Sequence, residues 1–296
     1  MITRRSVTLS LGAAAFGSLA ARAQDRQEPN KTAAAKPPPS FEELTRRPVV
    51  YTVPGMDKVR VREGLVYKTA EDSPLHFDLY APAAVSRVTP AVILIHGGPI
   101  PTLGARRWGT FVSYGRILAA MGMIGIAFDH RLLSPDRLRD SAADLADLVQ
   151  HVRGQATTLG IDANRLALWA FSGGGSLIAT ALRDRQTWCK LVVAYYGILE
   201  PFGNDKDERL SAIAALGKDA SKAPPIVLAR AGLDNPAINS TIDRFVAAAN
   251  SAGATLDLLT HPTGHHAFDI LDPGERSGQI IQRTLGALRT SLGVGV

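Results

Sequence analysis

Trp169-Ala170-Phe171-Ser172-Gly173-Gly174-Gly175 closes one apolar run and opens a helical pattern. A serine at such a junction sits on a tight strand-to-helix turn, where the backbone folds sharply and the helix packs close to the strand. That geometry needs small neighbours, and three glycines follow the serine. The pattern is G-x-S-x-G with Ala170 in place of the first glycine. Amides at the start of a helix carry partial positive charge and would lie beside an oxyanion forming at the serine. Ser172 is therefore a candidate nucleophile, and the Gly173 amide a candidate oxyanion donor. The bland alternative is a glycine-rich turn with a serine helix cap.

Similar apolar runs recur on both sides of this turn. Ala91–Ile95, Met123–Phe128, Leu166–Phe171, Leu191–Tyr196 and Ile226–Ala229 are nearly continuous, as strands covered on both faces must be. Val59–Tyr67 and Leu75–Tyr80 alternate apolar and polar residues and suit an antiparallel pair at a sheet edge. Thr255–Thr260 is a last, more amphipathic strand. Helical patterns fall at Phe111–Met121, Leu138–Thr158, Gly175–Arg185, Ala237–Ala252 and Gly274–Leu292. The alternation predicts an α/β fold, a mostly parallel twisted sheet of about eight strands with helices on both faces. Residues 198–224, with Pro201, Gly203 and Pro224-Pro225, break the rhythm and are expected to form a short cap segment. Open parallel sheets bind ligands at the carboxyl ends of their strands, so polar residues that follow the apolar runs carry the functional question.

Three such places stand out. Ile95-His96-Gly97-Gly98-Pro99 ends the first buried strand. Pro99 has no N–H, so a second oxyanion donor would be Gly98 or a neighbouring amide such as Ile100, while His96 is expected to order the loop. No G-K-[ST] follows, which disfavours a phosphate loop. Asp234, in Ala231-Gly232-Leu233-Asp234-Asn235-Pro236, could accept a hydrogen bond from an imidazole or could cap the helix that Pro236 opens. His261, His265 and His266 follow the last strand. Two adjacent side chains cannot point the same way, so His265 and His266 compete for the role of base. No acidic residue at helical spacing accompanies the three histidines, which disfavours a metal site, and the chemistry these residues suggest implies no cofactor.

In chain order these residues run Ser172, Asp234, His266. The chain resembles the α/β-hydrolase superfamily, in particular its esterase/lipase and dienelactone-hydrolase-like members, from about Val59 to Leu292. The glycine loop resembles the H-G-G-G type of esterases. His266-Ala267-Phe268 matches the family's H-x-F, which favours His266 as base and leaves His265 in reserve. Phe128–Leu132 resembles D-Y-R-L with His130 replacing Tyr, and Gly160–Leu166 resembles G-x-D-x-x-R-I/L. Both stretches, with Asp129 and Arg131, are expected to order loops. The resemblance implies cleavage of small-molecule carboxylic esters through an acyl-enzyme, with Asp234 steadying the imidazole. A peptidase or amidase of the same fold would need a large recognition domain, which residues 24–58 are too short to supply. A non-catalytic exported binding protein on this scaffold would have no use for an ordered triad.

The 296-residue chain is 46% hydrophobic, enough for a sizeable core, and carries a formal charge of +6. Eight Lys/Arg and four Asp/Glu fall within residues 1–48, so the remainder is close to neutral and lacks the basic stripe of a nucleic-acid binder. Arg4-Arg5, the apolar Val7–Ala20 and Ala21-Arg22-Ala23 have the layout of a cleaved export signal over residues 1–23. Thr3–Leu9 resembles a twin-arginine signal, with polar Thr8 departing from it. The apolar run is too short to span a membrane stably, so a periplasmic or secreted location is expected. Residues 24–48, with Lys36-Pro37-Pro38-Pro39, are read as a disordered linker ahead of a hydrolase domain over 49–296. Cys189, the single cysteine, precedes an apolar run and is read as a buried structural thiol. Nothing in the sequence fixes an oligomeric state.

Overall fold

A computed structural model describes residues 40–84, 88–204 and 207–295. The export signal expected over 1–23 and the linker as far as residue 39 lie outside the described residues, as do residues 205–206 of the cap. The chain divides after Leu44. In the first unit, the Ser40 amide donates to Glu43 Oε2 at 2.7 Å and the Glu43 amide to Ser40 Oγ at 3.2 Å. This reciprocal box starts α1 (Phe41–Arg46), so the stretch read as a linker ends in a capped helical turn.

The second unit carries eight strands: β1 (Arg60–Ala70), β2 (Ser73–Ala81), β3 (Thr89–Ile95), β4 (Ile124–Phe128), β5 (Ile161–Phe171), β6 (Cys189–Tyr195), β7 (Ile226–Ala231) and β8 (Leu256–His261). Their order is β1-β2-β4-β3-β5-β6-β7-β8. β1 and β2 pair antiparallel, as do β2 and β4, and every other neighbouring pair is parallel. After β3 the chain crosses to β4 on one side, and it later returns to β5 on the other. The carboxyl ends of β3 and β5 therefore flank the point where the winding reverses, the place at which such sheets open a crevice.

Strand side chains alternate between two cores. Ala91, Ile93 and Ile95 join a cluster with Leu145, Leu148 and Val152 of α3 (Leu138–Gly154), Leu182 of α5 (Ala179–Asp184), Leu216 of α6 (Ala212–Leu216) and Phe245 of α7 (Pro236–Ser251). Val92 and Leu94 join another with Phe111 and Ile117 of α2 (Gly109–Ala120) and Ile281, Leu285 and Leu288 of α9 (Glu275–Ser291). Helices thus cover both faces. Among the described residues no helix is long and apolar enough to cross a membrane.

Some boundaries differ from expectation. The pattern read as one helix over 138–158 breaks at Gln155, just after Gly154, and resumes as the short α4 (Ala156–Leu159). The helix expected from Gly175 begins instead as a tight 3₁₀ coil over Ser172–Ile178 and becomes α-helical only in α5. β5 starts five residues early, at Ile161. Its first bridge is to Thr89, then the register shifts before Leu166 meets Ala91. Within this irregular stretch of β5 Arg165 pairs with Asp162 at 2.7 Å and donates to Leu292 O, tying the cap of α9 to β5. In the cap segment a short 3₁₀ turn at Glu208–Leu210 leads into α6, whose Ser211 cap accepts from the Ala214 amide.

Candidate active site

Ser172 follows the last residue of β5 with φ 51°, a left-handed value that a non-glycine residue adopts only when its surroundings impose it. The turn is pinned from beyond, because the Ile198 amide donates to Ser172 O at 2.9 Å. It is also walled by glycine backbone. A methyl group on Gly97 would lie 2.7 Å from Ser172 Cβ, and one on Gly173 would lie 2.2 Å from Gly98 O. Side chains are absent there because the two loops touch.

His266 Nε2 lies 2.8 Å from Ser172 Oγ, and His266 Nδ1 lies 2.8 Å from Asp234 Oδ2. The arrangement assigns the tautomer. Nδ1–H donates to the carboxylate, which leaves Nε2 free to accept the serine proton. Asp234 is buried, and its other oxygen accepts from the Asn235 amide at 2.6 Å. The capping role weighed for Asp234 belongs to Asn235, whose Oδ1 accepts from the Ala237 amide at the start of α7. His265 turns away. It is exposed, and Asp272 accepts from both its Nδ1 and its backbone amide. His261 is buried without contact to the triad, its pKa lowered by burial. Among the described residues no group of three or more His, Cys, Asp or Glu is arranged to hold a metal ion.

The glycine loop is braced by two buried histidines. His96 Nδ1–H donates to Gly97 O at 2.6 Å, and the His130 amide donates to His96 Nε2 at 3.4 Å. His130 Nε2 meets His96 O at 3.2 Å, and the two rings stack 3.6 Å apart at 9°. Burial pushes the His96 pKa down to about 4 and holds that of His130 well below its usual value, so both rings are neutral. The Gly98–Pro99 peptide is cis, and the Ile100 amide already donates to Leu132 O at 3.0 Å. Ile100 is thereby removed as an oxyanion donor, whereas Gly98 and Gly173 remain beside Ser172.

The remaining candidates are structural. Asp129 accepts from the Gly104 and Arg106 amides and pairs with the Arg106 guanidinium, while Arg131 clasps the buried Asp144 through several bonds. Cys189 is buried, and burial pushes its thiol up to about 12, which keeps it protonated and unreactive. Of the aromatics considered for the pocket, Tyr195 turns into the core to bond Thr284 Oγ1 at 2.7 Å, and Phe202 is buried. Trp108 is half-buried, 6.4 Å from the His96 ring. Tyr196 packs 4.7 Å from the His266 ring, and its hydroxyl donates to Asp269. Asp269 carried no assignment from sequence. Its one signal was a carboxylate set between Phe268 and Ile270 in an apolar stretch.

Solved structures share this architecture. Esterase 2 of Thermogutta terrifontis, determined phosphorylated by paraoxon, superposes with a TM-score of 0.60 at 21% identity, over 78% of this chain and 92% of that one. The esterase LipW of Mycobacterium marinum superposes with a TM-score of 0.64 at 21% identity, over 79% and 82%. The chain has the α/β-hydrolase fold. A family model described as BD-FAE matches residues 77–200 of this chain, from β2 through the serine turn to the start of the cap. The isoprenylcysteine alpha-carbonyl methylesterase of Arabidopsis thaliana is 24% identical, with 74% of this chain aligned. The chain spans 60% of the length of that relative.

Proposed function

We propose that this α/β-hydrolase is a serine esterase that cleaves small-molecule carboxylic esters. The reading rests on one observation: hydroxyl, imidazole and carboxylate from three separate loops are linked in series by two 2.8 Å contacts. His266 Nε2 takes the Ser172 proton as Oγ attacks the carbonyl carbon, and Asp234 stabilises the imidazolium that forms. The amides of Gly98 and Gly173 receive the oxyanion. His266 then passes its proton to the departing alcohol, and water releases the acid by the reverse path. The kinship with a methylesterase and the likeness to bacterial esterases support ester rather than amide substrates.

A fluorophosphonate probe tests the reading. It should label Ser172 in the wild type and nothing in Ser172→Ala, and turnover of p-nitrophenyl esters should fall by about 10⁴-fold or more in that variant. Undiminished turnover by Ser172→Ala would refute it. Export is part of the proposal, supported by the Arg4-Arg5, apolar and Ala21-Arg22-Ala23 layout. Fractionation of expressing cells, with N-terminal sequencing of the product, tests it. A product that stays cytosolic with Met1 intact would overturn export alone.

A further inference from the structure

Three residues beyond His266, the chain buries a second carboxylate, and among the described residues no Lys or Arg pairs with it. Asp269 is fully buried. The Tyr114 hydroxyl donates to its Oδ2 at 2.9 Å and the Tyr196 hydroxyl to its Oδ1 at 2.8 Å, one tyrosine per oxygen. Tyr114 reaches it from α2, and Tyr196 from the turn after β6, where that residue is held at φ 38°. Asp269 O also accepts the Val50 amide at 2.8 Å. A buried carboxylate is expensive unless its lone pairs are filled. Two elements converge to fill this one, Tyr114 from α2 and Tyr196 from the turn after β6, while the Val50 segment ties down the backbone.

The connection to His266 is direct. The Tyr196 ring that donates to Asp269 packs 4.7 Å from the His266 ring at 59°. Ala267, at φ 62°, reverses the chain between His266 and α8 (Phe268–Leu271), the helical turn that carries Asp269. Phe268 beside it packs on Tyr195, Tyr196 and His261. We infer that Asp269 is a positioning carboxylate for His266: it anchors the loop and the Tyr196 ring that orient the imidazole, and adds negative charge behind it.

The groups that face this carboxylate are Tyr114 from α2, Tyr195 and Tyr196 from the end of β6, and His266 from its own loop, with Asp234 acting on Tyr196. The tyrosine pKa values are all raised well above their ordinary value, chiefly by burial, so they donate as neutral hydroxyls. Burial raises the Asp269 pKa too, and the two tyrosine hydrogen bonds, its backbone bond and the charge on His266 oppose that rise. Each Asp269 oxygen accepts a tyrosine hydroxyl, the arrangement suited to a carboxylate rather than to a carboxylic acid.

The inference deepens the esterase reading, so its test includes a readout that does not need turnover. The pKa of His266 is measured from imidazole ¹⁵N shifts, alongside the acid limb of kcat/KM for p-nitrophenyl acetate. Asp269→Asn keeps the shape and removes the charge. It should lower the His266 pKa by about half a unit or more. It should also cut kcat roughly tenfold with little change in KM. Tyr114→Phe removes one donor to Asp269 without touching His266, and should shift the pKa in the same direction by less. If Asp269→Asn does not fold, Tyr114→Phe decides. An unchanged His266 pKa in the folded variants overturns the inference whatever happens to stability. Failure of Ser172 to react with fluorophosphonate would instead overturn the esterase reading, and the NMR titration would still decide the role of Asp269.

Discussion

His265 and His266 are neighbours in sequence and opposites in chemistry. One, itself exposed, bonds a half-buried loop carboxylate, and the other joins the serine to a buried one. Their replacement should separate cleanly. His266→Ala should lose esterase turnover by about 10⁴-fold or more, whereas His265→Ala should stay within a few-fold of wild type in kcat/KM. The His96–His130 stack makes a different prediction. Both imidazoles titrate near 6.5 when unfolded and far lower when folded. Between about pH 6.5 and 4 the unfolded chain binds protons that the folded chain refuses, so stability falls as pH drops through that window. For His96 the loss reaches at most about 3 kcal/mol, at 1.36 kcal/mol per unit. Asp269 works in the opposite sense, because a carboxyl with a raised pKa takes up a proton first in the folded state. Thermal melts of Asp269→Asn, which lacks that offset, should therefore decline steadily from pH 6.5 downward. A flat melting temperature in that variant would mean that the histidine pair titrates normally.

Elements were legible where pattern alone decides them. The continuous apolar runs became the inner strands, and the alternating runs at Val59–Tyr67 and Leu75–Tyr80 became the antiparallel edge pair. Legibility failed where tertiary contact overrides local preference. Ser172–Ile178 is coiled more tightly than its sequence suggests because the glycine loop presses on it from one side and Ile198 from the other. Ser172, Asp234 and His266 could be proposed from chain order and motif. Asp269 could not, since its meaning lies in two tyrosines 155 and 73 residues away. Two glycine substitutions separate contact from propensity. Gly173→Ala would force a methyl group to within 2.2 Å of Gly98 O, and should cost about 1–3 kcal/mol together with most of the activity. Gly286, exposed in the middle of α9, has nothing within 4 Å of an added methyl, and Gly286→Ala should stabilise by about 0.5–1 kcal/mol. Urea denaturation of the two variants checks both signs.

At the scale of the second unit, the sheet is a partition. Leu148 of α3 packs in the core on one face and Leu285 of α9 in the core on the other. Each Leu→Ala change should cost about 2–5 kcal/mol. The sheet between them is one layer in a stack with spacings of roughly 10 Å, so the double variant should show the sum of the single costs to within about 0.5 kcal/mol. A coupling well beyond that, measured by a double-mutant cycle in urea, would show that the two cores respond as one.

Ser172 and His266 stand 94 residues apart, with β6, β7 and β8 between them. A chain halted anywhere before β8 carries the serine but not its partner, and its hydroxyl is as inert as any other alcohol. During refolding, turnover should therefore appear no earlier than the pairing of β8 with β7, and lag behind probes such as Trp169, which sits beside the serine turn. Recovered turnover would then clock the docking of the His266 loop, and a nascent chain would stay inactive until His266 had been made and brought to Ser172.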